Sequence, residues 1–96
     1  MDAQQVETLI TVLLDHGADI GARDDAAMDL YAANAEQARQ ALLVVAISPE
    51  TPEIVQASAG ESLGQIAART GRRLSDEERT RLMPAASREY EVIQPE

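Results

Sequence analysis

Apolar positions recur with a helical period along most of the chain. Val6, Leu9, Ile10, Leu13 and Leu14 fall at i, i+3, i+4, i+7 and i+8, one stripe of a helix over residues 3–15. Gly17 is placed to stop that helix. Ala26, Ala27, Leu30 and Ala33 outline a second one. Asp24 and Asp25 sit in its first turn, where acids complement the helix dipole. A third helix, about 35–47, carries Ala38, Ala41, Leu42, Val45 and Ala46 inward, with Asn34 as its cap.

The run from Ser48 to Pro52 contains two prolines and breaks the pattern. Thr51 followed by Pro52 predicts the cap and first position of a fourth helix over 52–70. That helix contains Gly60 and Gly64, each costing roughly 1 kcal/mol against Ala in a helix interior. Glycines kept at such a cost point to another helix backbone approaching closely. Gly71 ends the helix. Ser75 and Glu78 have the spacing of a capping box and open a short fifth helix to about Met83. Pro84 begins a sixth, with Tyr90 and Ile93 as candidate anchors. No stretch alternates as a strand would. The expectation is an all-α single domain of five or six helices.

Two segments repeat 33 positions apart, Ala22 to Leu30 and Val55 to Leu63. A period in that range marks stacked helical units. From Val55 the chain keeps Val55, Ala59, Leu63, Gly64 and Ile66, with Gln56 and Ser62 as departures; the earlier unit keeps Arg23, Ala26 and Leu30. These residues resemble the first helix of the short HEAT-like repeats of the phycobilisome-lyase type. The resemblance implies an α-solenoid with residues 1–16 as N-terminal capping helix, 22–47 and 52–83 as repeats, and 84–94 as C-terminal capping helix. It makes Arg23, Asp29, Ser62 and Gly64 inter-repeat structural residues, with Asp29 and Ser62 at equivalent positions and able to pair across the stack. A weaker likeness to an ankyrin repeat covers Val6 to Asp24, especially Leu13 to Ile20 with Ala22 to Asp24, and stops at Ala27–Tyr31, where the Gly, Thr, Pro and His of that pattern are missing.

Composition narrows the picture further. Without cysteine there is no disulfide or thiolate metal site. Tyr31 and Tyr90 are the only aromatic residues, so the core is aliphatic and suited to closely packed helices. Residues 1–68 hold eleven acids against Arg23 and Arg39, so the whole net charge of −9 falls on the repeat-bearing part. Residues 69–96 hold six acids and six arginines, and cancel. A field of that sign repels nucleic acid and anionic membrane and favours a basic partner. The N-terminal residues lack the basic run of a signal peptide, and no apolar run approaches spanning length, so a cytoplasmic location is expected.

Chemistry is sparse. Asp15, His16 and Asp19 have metal-ligating side chains at a spacing that suits no specific site, and no metal or other cofactor is expected. No nucleophile elbow, phosphate-cradling glycine loop or lysine is present. Arg69, Arg72 and Arg73 make a basic knot, expected to meet helix-end carbonyls and the acids at 76–78. Among small bacterial HEAT-like proteins, the chain resembles immunity proteins that neutralise toxins. That resemblance implies a protein-binding module, not an enzyme, whose acidic ridge of Asp24, Asp25, Met28, Tyr31 and Glu61 receives a basic toxin domain such as a nuclease. The alternative is a regulatory or scaffolding adaptor, including a nucleic-acid mimic. A bilin-lyase-like enzyme is a third reading, which would need a pigment-sized cleft and aromatic or cysteine contacts.

Overall fold

The computed structural model describes residues 1–93. In chain order they form α1 (Ala3–Leu14), α2 (Ile20–Asp29), a single 3₁₀ turn (Leu30–Ala32), α3 (Glu36–Ala46), α4 (Glu53–Thr70), α5 (Asp76–Arg81) and α6 (Pro84–Ile93). No strand occurs among the described residues. Position 94, assigned to the terminal helix from sequence, lies outside them.

Helix α4 is the element on which the others pack. It contacts α2, α3 and α6, while α1 covers α2 and α3. Its buried residues are Val55, Gln56, Ala59, Gly60, Ser62, Leu63, Gly64, Ile66 and Ala67. They are spread around most of its circumference, as a central helix requires. Gly60 shows why glycine is needed there. A Cβ at that position would lie 2.2 Å from the Ala86 carbonyl oxygen and 2.7 Å from the Ala86 Cα on α6. The close helix approach expected from the glycines of this segment is therefore made at Gly60. One hydrophobic cluster runs through the molecule, from Val6 and Leu13 on α1 to Tyr90 on α6.

Helix ends follow local hydrogen bonding, and several differ from the sequence expectation. Helix α1 ends at Leu14 without a left-handed glycine. Asp15 closes it, its N–H donating to the Val12 carbonyl while its carboxylate accepts from the Gly17 N–H at 2.8 Å. Asp19 caps α2 by accepting from the Ala22 N–H at 3.1 Å, so the helix starts earlier than expected. Asp24 and Asp25 consequently lie in its second turn, not its first. Asn34 does not cap α3; Ala35 holds the cap position without a side-chain bond. Pro52, not Thr51, occupies the cap position of α4, and Thr51 is buried. Gly71 ends α4 in the left-handed conformation with φ of 73°, as glycine permits. The Ser75–Glu78 capping box forms, and α5 ends at Arg81.

Short α5 buries none of its own residues. Leu74 and Leu82 on either side are buried instead, and the helix is held by ion pairs. Arg79 meets Glu91 of α6 at 2.8 Å, and Glu78 meets Arg39 of α3 at 2.8 Å. Fully buried Tyr90 is the anchor expected of α6, and its hydroxyl accepts from the Leu74 N–H at 2.9 Å. Ile93 is half-buried.

Candidate interaction groove between the second and fourth helices

Helices α2 and α4 run side by side in the same direction. Ser58 Oγ donates to Asp24 Oδ1 at 2.5 Å, and Ser62 Oγ donates to the Ala27 carbonyl at 2.5 Å. Both partner numbers rise together, so the helices are parallel. The Ser58–Asp24 bond has the length of a charge-assisted hydroxyl–carboxylate contact. At the far end Arg69 reaches back from α4 to donate to the carbonyls of Tyr31 and Ala33 and to Asn34 Oδ1. It thereby satisfies carbonyls left open where α2 and its 3₁₀ turn finish.

Along this seam lies an open groove of about 420 Å³, lined by Met28, Tyr31, Ser58, Glu61, Ser62, Gln65 and Arg69. Met28 is 51% exposed and Tyr31 44% exposed, so the groove presents apolar surface beside its polar residues. Glu61 is exposed and supplies a carboxylate. Three of the five residues expected on the acidic ridge, Met28, Tyr31 and Glu61, are thus brought together. Asp24 adjoins the groove through its bond to Ser58. Asp25 does not line it. One position further on, it is turned about 100° around α2, on the same side as Asp29.

The residues expected to be structural also divide. Ser62 crosses from α4 to α2, but its single hydroxyl proton goes to the Ala27 carbonyl. The expected Asp29–Ser62 pair is not made. Asp29 is exposed and lines a different recess, with Met1, Asp2, Gln4, Gln5, Thr8 and Leu9. Arg23 is buried, at 4% exposure, yet it ties α2 to α1 and not to α4: its Nε donates to the Leu13 carbonyl at 3.0 Å. The cation therefore sits at the C-terminal end of α1, where the helix dipole favours it. Its Nη2 is buried without a hydrogen-bond partner. Gly64 is buried on α4.

Ser58, Gln65 and Arg69 are groove residues that the sequence reading missed. With Ser62 they fall at i, i+4, i+7 and i+11, a single helix stripe. That polar stripe was visible once the helix was assigned. Its pairing with Asp24 was not, because it depends on how two helices dock.

The other sequence candidates are placed elsewhere. The carboxylates of Asp15 and Asp19 accept backbone N–H groups, and His16 is exposed in the loop between them. No group of three His, Cys, Asp or Glu side chains that could hold a metal occurs among the described residues. The basic knot opens out: Arg69 serves the end of the preceding helical segment, and Arg72 pairs with Glu36 at 3.3 Å instead of the acids at 76–78. No helix is long and apolar enough to cross a membrane among the described residues. Comparison with models of known protein families, with curated proteins and with solved structures gives no match.

Proposed function

We propose that the chain is a non-catalytic protein-binding module, a short HEAT-like stack whose α2–α4 groove receives a basic partner. In this reading α2 and α4 are equivalent first helices of two units, α3 and α5 complete them, and α1 and α6 cap the two ends. Two features support it. The two helices are parallel, and their cross-helix bonds join residues 34 and 35 positions apart, close to the 33-residue spacing of the repeated segments. Terminal units that differ from the repeats, such as α1 and α6, are what a finite stack needs at its ends.

The observation that carries the functional reading is the grouping of Met28, Tyr31 and Glu61 in one groove on the acidic part of the chain. Exposed aromatic and methionine surface with a carboxylate at its edge fits a protein interface, where such side chains act as anchors. Charge complementarity would speed encounter with a basic partner. We assign that partner to the toxin class, such as a basic nuclease domain, with inhibition by covering its substrate surface. No catalytic residue is required for that action.

The test is co-expression with a basic toxin domain encoded beside this chain, read as growth and as affinity of the purified pair. The wild-type chain restores growth. Combined Met28→Ala and Glu61→Lys weakens binding by roughly a hundredfold or more, the scale of two interface anchors lost, and restores growth poorly. Undiminished protection by that variant would remove the groove assignment. Failure of the wild-type chain to protect would remove the toxin-inhibitor reading.

A further inference from the structure

In this acidic molecule one cleft brings three arginines together around a single carboxylate. A cleft of about 270 Å³ between the start of α3 and the end of α4 is lined by Ala33, Asn34 and Thr70 and by three arginines, Arg39, Arg69 and Arg72. Arg39 comes from the acidic part of the sequence and the other two from the neutral part, so only the fold gathers them. We propose that this cleft binds an oxyanion of the carboxylate or phosphate class.

Glu36, which also lines the cleft, shows how such a group would be held. Its Oε1 lies 3.3 Å from Arg72 Nη1, and its Oε2 lies 3.3 Å from Arg39 Nη1. One carboxylate thus bridges two guanidiniums. Both distances exceed the 2.7–2.9 Å typical of charge-assisted bonds, and Glu36 and Arg72 are 44% and 68% exposed. This is a loosely held internal anion at the mouth of the cleft. Arg39 is firmly placed by its other contact, to Glu78 at 2.8 Å, and its side chain is only 12% exposed. Arg69 is likewise fixed by the carbonyls of Tyr31 and Ala33. Three arginines against Glu36 and Glu78 leave the cluster one positive charge in excess. An incoming oxyanion displaces the Glu36 carboxylate or joins it, and meets two guanidiniums, those of Arg39 and Arg69, whose positions are already set. Arginine suits this role because its planar array of N–H groups matches two oxygens of one anion.

The cleft shares Arg69 with the α2–α4 groove, so its test is built on Arg72, which does not line that groove. Binding is tested by titrating the full chain with sodium phosphate and, separately, sodium acetate, against sodium chloride at matched ionic strength. The readout is the ¹⁵N-resolved signals of the Arg39, Arg69 and Arg72 side chains and of the Glu36 and Gln37 amides. Saturable shifts confined to these groups are expected, with phosphate if the natural source is a phosphate and with acetate if it is a carboxylate. Arg72→Gln weakens the response roughly tenfold or more, the loss for one charge-assisted contact. Arg72 is exposed, so the fold survives that change. Arg73→Gln, at an exposed arginine that does not line the cleft, leaves the response in place. Shifts that chloride reproduces, or that both variants reduce equally, would overturn the proposal.

Discussion

Gly60 and Ser58 lie two positions apart on α4, on opposite sides of the helix, and act in opposite ways. At Gly60 the space is already filled by the Ala86 backbone, which cannot rotate aside as a side chain can. Gly60→Ala gains about 1 kcal/mol in helix propensity but forces α4 and α6 apart, and overpacking typically costs about 1–3 kcal/mol or more. Net destabilisation is expected in urea unfolding, and unchanged or raised stability would show that the helices slide apart freely. At Ser58 the effect is polar. Ser58→Ala removes the hydroxyl that Asp24 accepts from and is expected to cost about 1–2 kcal/mol, because a part-buried carboxylate loses a charge-assisted bond. Asp24→Ala with Ser58→Ala should show coupling on the order of 1 kcal/mol in a double-mutant cycle. Additive losses would mean that the bond contributes nothing to holding the two helices in register.

Among the elements, α5 is the one held by charge and capping in place of burial, so pH should find it first. Ser75 donates its backbone N–H to Glu78 Oε1, and this bond, ahead of the opposing effect of burial and the help of Arg39, holds the Glu78 carboxyl below its ordinary value. A carboxyl with a lowered native pKa contributes stability that is present above the unfolded value and is lost as pH falls through the folded one. Thermal unfolding followed from pH 6 downward should therefore lose stability below about pH 4.5, the ordinary carboxyl value. Glu78→Gln should flatten that acid limb while costing stability at neutral pH, and an identical limb in wild type and variant would assign the acid response to other carboxyls. The capping box was legible in the sequence because Ser75 and Glu78 are local partners. So were the Gly71 terminus and the stripe of α1 apart from Leu14, which is 40% exposed, each set by residues within a turn or two of one another. The start of α2 was missed for a related reason: Asp19 competes with Asp24 and Asp25 for the cap, and only the backbone path decides among them. What was not legible is long-range. Arg69 bonds to residues 35–38 positions away, and Ser62 chose a backbone carbonyl over Asp29. The resemblance to stacked repeats put Met28, Tyr31 and Glu61 on one ridge, yet the docking of α2 on α4 was needed to separate them from Asp25.

At the scale of the whole molecule, the acidic surface should oppose folding. The described residues have a radius of gyration of 11.9 Å, comparable to the Debye length of about 10 Å at 0.1 M salt, so like charges repel across much of the fold at low ionic strength. A net charge of −9 then destabilises the compact state relative to the expanded chain. Salt also weakens the ion pair Arg79–Glu91, which is partly exposed and of a kind that contributes about 0–1 kcal/mol, but it screens the more buried Arg39–Glu78 pair much less. Repulsion should win. Raising sodium chloride from low to high concentration is expected to raise Tm by several degrees, since about 1 kcal/mol moves the Tm of a domain this size by roughly 4–8 °C. Reversing two exposed acids, Asp25→Lys with Glu61→Lys, should raise Tm at low salt and shrink the salt response, because the pair removes four of the nine excess negative charges. A Tm that falls with added salt would show that the ion pairs outweigh the repulsion. If instead the double reversal stabilises the fold while weakening partner binding, the acids are kept against the interest of stability. That is the signature expected of a surface shaped by what it binds.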